Sequence, residues 1–366
     1  MKLARPHSIG IALLVVTLAG AWVDAPMFFA AWLSAWWWCL GVVLGAFINA
    51  WMHRMSGGDW GTAIDPVAVV LGRRLPWLLL LVVPVLIGVP TLYPWAATDR
   101  KWLDAVAEPR FVHAWLNVPF FVARVVAYAF VWWWLTRARS LRSSGRAAAS
   151  TIVCTIVTSL AAIDLLMSLM PSWYSTAFGL VVVSNQALAG AAFAVAWPAR
   201  IAIAPSERAI GQPPLSRDLG NLLLMWVMTW GYLAFMQFLI IWAEDLPREI
   251  AWYVPRLQTG WVGVGIALVV VQLAIPFVAL LFRSVKDRPP RLRAVAMLLL
   301  ASSALDVVWT VLPSVAPHDL HGWWLAPLSV VGMAFLLFSG VPAAVRRSTE
   351  RPTAPDPSTE VRHAEA

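Results

Sequence analysis

SLAAIDLLMSLMPS, residues 159–172, is answered by SSALDVVWTVLPS, residues 302–314. Each sets an Asp seven residues before a Pro-Ser, with an Ala two residues ahead of the Asp and a hydroxyl four after it: Ala162, Asp164, Ser168 and Pro171 against Ala304, Asp306, Thr310 and Pro313. Both lie in apolar runs long enough to cross a bilayer. A carboxylate at that depth costs at least ~2.5–3.5 kcal/mol, so two in one local pattern point to a duplicated unit rather than to chance. Working outward, LYPWA (92–96) answers IIWAE (240–244), and AWLNV (114–118) answers GWVGV (260–264).

The surrounding chain is that of a multi-span membrane protein. Of 366 residues, 60% are hydrophobic and only 13% charged, well beyond what a soluble core needs. Runs of about 20 apolar residues fall at roughly 7–24, 29–52, 75–96, 111–136, 149–170, 177–199, 218–243, 259–282, 293–313 and 323–345. An all-α fold of ten transmembrane helices follows. A removable leader is an alternative for the first run, but the small-residue cleavage signal is poor and a retained helix is preferred. The two Asp helices are then the fifth and the ninth. An offset of four helices makes the repeats parallel, about 29–176 and 177–314, as two four-helix bundles (helices 2–5 and 6–9) flanked by helices 1 and 10. The polytopic body covers residues 1–346, and the polar, Pro-rich stretch 347–366 reads as a disordered tail.

With the N-terminus inside, 21 of the 27 Lys and Arg fall on the cytoplasmic side. That bias orients the bundle with both termini cytoplasmic and accounts for the +8 net charge without nucleic acid. Clusters such as Trp36-Trp37-Trp38, Trp132-Trp133-Trp134 and Trp323-Trp324 suit belts at the headgroup level. Cys39 and Cys154 are far apart and form no metal or cluster motif. All six histidines lie at helix ends, in loops or in the tail, so neither a bound metal nor a haem is expected. Nucleotide-binding and nucleophile motifs are absent from the sequence.

QFLIIWAEDLPREIAWYVPRLQTGW, residues 237–261, compresses acids, a proline and arginines between two spans. Gln237, the IIW of 240–242, Leu246-Pro247, Glu249-Ile250, Trp252-Tyr253, Arg256 and Gly260-Trp261 resemble a motif of the F-type membrane subunit of alternative complex III, the bacterial quinol:cytochrome c oxidoreductase. That family is similar to polysulfide-reductase-type membrane subunits. Ala243-Glu244-Asp245 and Arg248 depart from its pattern. The resemblance implies a ten-helix, cofactor-free subunit in a bacterial inner membrane. It would work in a respiratory complex with another membrane subunit, haem and iron–sulfur subunits and, in some relatives, a haem–copper oxidase, and it would meet quinone or quinol. The rival classes are a secondary transporter and a structural or assembly subunit.

Four groups of candidate residues follow. Glu244, Asp245, Pro247, Glu249, Trp252, Tyr253 and Arg256 would make a periplasmic docking surface, with the aromatic rings flat at the interface; the plainer reading is that they cap two helix ends. Gln237 with Trp242 would supply part of a quinone headgroup site. Arg124, within the fourth span, would pair with Asp164 as a structural ion pair. Asp306 lacks such an arginine and, with Thr310, Ser302, Ser303 and water, would belong to a proton path.

Overall fold

The computed structural model describes residues 4–97, 109–197, 214–317 and 322–350. It is helical throughout these residues: α1 (Ala4–Ala19), α2 (Ala25–Ser56), α3 (Gly61–Gly72), α4 (Leu75–Leu80), α5 (Val83–Ile87), α6 (Val89–Leu92), α7 (Pro109–Trp115), α8 (Val118–Leu135), α9 (Ser144–Leu165) and α10 (Phe178–Ala196). The second half holds α11 (Leu215–Glu244), α12 (Pro247–Ile250), α13 (Val254–Leu257), α14 (Trp261–Leu268), α15 (Ile275–Leu281), α16 (Arg283–Lys286), α17 (Pro289–Val315), α18 (Leu325–Phe338) and α19 (Val341–Glu350). Eight helices among these residues are long and apolar enough to cross a membrane, and a ninth if the bent pair α3/α4–α5 counts as one span. The apolar helix Pro6–Trp22 is shorter. The chain is thus a multi-pass, all-α membrane protein.

Local sequence sets the boundaries. Asp24 accepts the Met27 amide at 3.0 Å, and Pro26 follows in the first turn of α2. Asn117 does the same for the Phe120 amide at 3.0 Å, ahead of Pro119 in α8. The expected straight span over 75–96 is instead broken. Pro76, Pro84 and Pro90 each open a new short helix, and α3 meets this segmented run at 49°. A proline removes one amide and clashes with the preceding turn, so a Pro-dense apolar run bends where a pure length count sees one cylinder.

The centre is the pair α2 and α10, whose apolar windows are 94% and 89% buried by other helices. They cross closely enough to need glycine. A Cβ on Gly45 would fall 1.8 Å from the Gln186 carbonyl oxygen, and one on Gly190 would fall 2.1 Å from the Ala46 nitrogen. This placement corrects the aromatic-belt reading of α2: Trp36, Trp37 and Trp38 are interior. Their relative Trp32 and Trp36 itself donate at 2.9 Å to the Leu81 and Leu78 carbonyls of the broken run, satisfying backbone that the breaks loosen. Trp132 is likewise buried, whereas Trp134, Trp323 and Trp324 are exposed. At the C-terminus α19 carries helix through Glu350, four residues into the stretch expected to be disordered; the rest of that tail lies outside the described residues.

Candidate functional site

The two aspartates of the repeated pattern occupy opposite kinds of environment. Asp164, near the end of α9, is fully buried and saturated. Arg124 on α8 donates to it through Nε at 2.6 Å and Nη2 at 3.0 Å, the Tyr128 hydroxyl at 2.8 Å and the Trp115 indole at 2.9 Å. Tyr128 lies one turn beyond Arg124 on the same helix face, which is why both reach one carboxylate. The guanidinium is packed 4.3 Å from the Trp115 ring and 4.4 Å from that of Phe120, and its third nitrogen donates to the Trp115 carbonyl at 2.9 Å. Every strong donor and acceptor here has a partner.

Asp306 on α17 is also buried, but among the described residues no cation pairs with it. The indole of Trp230, from α11, lies against its carboxylate, and among the described residues this indole nitrogen reaches no hydrogen-bonding geometry with a partner. Ser302, Ser303 and Thr310 share the buried helix face with Asp306, yet each hydroxyl donates to its own helix: to Leu299 O at 3.1 Å, Leu300 O at 2.8 Å and Asp306 O at 2.8 Å. The corresponding back-bond exists in the first pattern, where the Ser168 hydroxyl donates to Asp164 O. The hydroxyl of the repeated pattern therefore serves the helix backbone in both places, and the carboxylate oxygens are left to other elements.

Beyond Ser303 the polar groups continue into the bundle. Trp38 donates to the Ser303 hydroxyl at 3.0 Å, Asn185 to its carbonyl at 3.1 Å, and Gln272 to Asn185 at 3.3 Å. Gln272 sits in a π-helical turn, Val269–Ala274, immediately before Pro276. Among the described residues its amide oxygen, like both amide atoms of the neighbouring-helix Gln186, is buried without a protein partner. Such groups are ordinarily met by ordered water.

The 245–260 connection folds inward rather than lying open. Pro313 has no amide to offer the Trp309 carbonyl four residues back, and Arg256 fills the gap. Its Nε donates to Trp309 O at 3.2 Å, and Nη2 donates to Thr310 O at 2.6 Å and to the Ser314 hydroxyl at 2.7 Å; Nη1 donates to Trp252 O. The guanidinium lies 3.5 Å from the centre of the Trp252 ring, which in turn stacks on Trp173 at 5.1 Å. Arg256, Trp252 and Tyr253 are buried. That overturns their reading as an exposed docking surface, because a guanidinium committed to carbonyls of the same chain and rings packed beneath it leave nothing to offer a partner.

Glu244, Asp245 and Pro247 remain exposed, and Glu249 half-exposed. Asp245 ends α11 in the left-handed conformation at φ 50°, and Pro247 opens α12 rather than merely stopping α11. Glu249 is pushed above the ordinary carboxylate range by desolvation and by the adjacent Glu244, with which it shares a hydrogen bond.

Gln237 and Trp242 are not brought together. The Gln237 amide is buried between the Ser175 hydroxyl, which donates to it at 3.1 Å, and the Tyr253 hydroxyl, to which it donates at 3.3 Å. Trp242 faces outward, 67% exposed. Five residues of helix turn the two side chains well away from each other, so they do not fit a shared quinone headgroup site. Tyr128, Trp115 and Trp230 went unread at the sequence level. The i, i+4 spacing from Arg124 signals Tyr128; Trp115 and Trp230 arrive by tertiary packing and carry no local signal. No protein-family model matches the chain, and no curated protein matches it.

Proposed function

We propose that this chain is a cofactor-free membrane subunit of a respiratory quinol:electron-acceptor oxidoreductase of the alternative complex III kind, that it helps to anchor partner subunits, and that Asp306 serves a proton path. The observation that best supports this reading is a linkage. The connection carrying the family-like motif is latched by Arg256 onto Thr310, whose hydroxyl bonds the Asp306 carbonyl. The motif and the uncompensated carboxyl are parts of one construction. Asp306 can hold and release a proton; the hydrogens of Ser302, Ser303 and Thr310 are committed to carbonyls, so a path along this face uses their lone pairs and intervening water.

In this reading the chain spans the inner membrane ten times as two parallel four-helix repeats with flanking helices, with both termini cytoplasmic. Glu244, Asp245, Arg248 and Glu249 then form an acidic periplasmic rim for haem and iron–sulfur subunits, in place of the wider surface read from sequence. Quinone contact belongs to the complex as a whole and is not assigned to Gln237 and Trp242.

The test is purification of the tagged chain from its native host in mild detergent. The expected companions are a multihaem cytochrome, an iron–sulfur protein and a second polytopic subunit, with quinol oxidation in the same fraction. Recovery of the chain alone, or with unrelated companions, overturns the proposal. A secondary carrier is the second reading, favoured by the 49° break between α3 and α4 and by the π-helical turn at Val269–Ala274. These interruptions fall at non-corresponding places in the two halves. Solute uptake by vesicles containing this chain alone would support the carrier.

A further inference from the structure

α17 and α18 follow one another in sequence and both pack on α2, yet a cleft of about 860 Å³ separates them. It lies on the face of α17 opposite Asp306, as the helical positions of Met297, Ala301, Ala304 and Val308 require. Trp38 and Phe193 line it from the central helices, and Phe335 and Phe338 from α18. The walls are almost wholly apolar, and the cleft runs from Trp323 at one end of α18 to Pro342 at the other, roughly 28 Å at 1.5 Å per residue.

The end beside the N-terminus is different in kind. Pro6, Ser339 and Pro342 line it. His7 lies with Nδ1 3.2 Å from the Leu336 carbonyl and 3.2 Å from the Ser339 hydroxyl. Between Ser339 and Pro342, a Cβ on Gly340 would fall 3.3 Å from the Arg74 Nη2 and 3.9 Å from the His7 Nε2. A guanidinium, an imidazole and a hydroxyl therefore converge where the cleft reaches the end of the bundle. Among the described residues Arg74 forms no ion pair, and the exposed Arg73 adds a second positive charge beside it.

We propose that this is a binding site for an anionic phospholipid, its phosphate held by Arg74 with Ser339 and His7 and one acyl chain laid in the cleft between α17 and α18. The charge at the mouth selects a headgroup, and the apolar walls behind it select a chain. A free phosphate would use the mouth but not the cleft. A partner helix would use the cleft but leave the guanidinium without its anion. The proposal does not rest on the respiratory reading and would hold equally for a carrier.

The full chain, solubilised and placed in vesicles of equal parts phosphatidylglycerol and phosphatidylcholine, is re-extracted gently and its retained lipids are weighed by native mass spectrometry. Wild type should keep a phospholipid enriched in phosphatidylglycerol. Arg74→Gln, at a position whose side chain caps no helix, should keep the lipid but lose the preference by roughly fivefold, the effect of one surface charge on an anionic lipid. Ala334→Trp, which fills the cleft wall, should lose the lipid while its elution profile and thermal midpoint stay near wild type. Unchanged headgroup preference in Arg74→Gln overturns the proposal, as does undiminished retention in a folded Ala334→Trp. Displacement of the lipid by inorganic phosphate alone would reassign the mouth to a free anion. A photo-crosslinker at Met297 that captures polypeptide in place of lipid would reassign the cleft to a partner helix.

Discussion

Asp164 and Asp306 stand in matching stretches of sequence, bear the same hydroxyl-to-carbonyl bond one turn on, and end in opposite states of completion. Around Asp164, two nitrogens of Arg124, a phenol and an indole close the carboxylate off. Around Asp306, among the described residues, there is an indole outside hydrogen-bonding geometry, and Arg256, which reaches the same helix one turn on, spends its donors on backbone carbonyls and a serine. The lesson is that a buried acid is defined less by its own helix than by what the facing elements bring. The antiparallel helix α8 brings a cation to one, and a loop arginine serves the proline-damaged backbone beside the other.

Three substitutions break or sharpen this contrast. Arg124→Ala should have the largest effect, because it leaves a charge buried without its partner, at a cost of ~3–5 kcal/mol. The folded yield and the thermal midpoint in detergent should both fall sharply, and a midpoint within error of wild type would refute the structural role of the pair. Next comes Arg256→Ala, which leaves the Trp309 carbonyl without a donor, at about 1–3 kcal/mol for an unsatisfied buried group, while the Thr310 carbonyl keeps the Ser314 hydroxyl. Hydrogen exchange should quicken in the 245–260 connection and the last turn of α17 while the α8–α9 region stays protected. Uniform loosening of the whole bundle would show that Arg256 is not a local latch. The smallest stability change belongs to Asp306→Asn, at or below the ~0.6 kcal/mol average of a polar contact between membrane helices. Its expected signature is functional: an assembled complex whose proton-coupled quinol oxidation is reduced. Wild-type coupled turnover in purified Asp306→Asn would remove the protonic role.

Some of this was legible without coordinates. The pairing of Arg124 with Asp164 could be anticipated because two opposite charges in adjacent apolar spans have few other places to go. The docking surface could not be read as well. Trp252, Tyr253 and Arg256 look like exposed loop residues until Pro313, more than fifty positions away, is seen to free a carbonyl that Arg256 must answer. The Trp36–Trp38 cluster misled for a similar reason, since a tryptophan-rich helix looks alike at the rim or at the centre until its neighbours are known.

By itself the sequence determined the solvent, the secondary structure and which polar residues had to be explained. Apolar runs of membrane-crossing length leave helix as the only way to satisfy the backbone, and each buried charge carries a penalty that demands a partner or a use. Only the tertiary structure decided which penalty was met and which was not. α2 lies at the centre because Gly45 and Gly190 admit a near-contact of backbones, Asp164 is closed because α8 faces it with Arg124 and Tyr128, and Asp306 stays without a cation because α11 faces it with Trp230. These are outcomes of packing between residues far apart in the chain, and no local pattern encodes them.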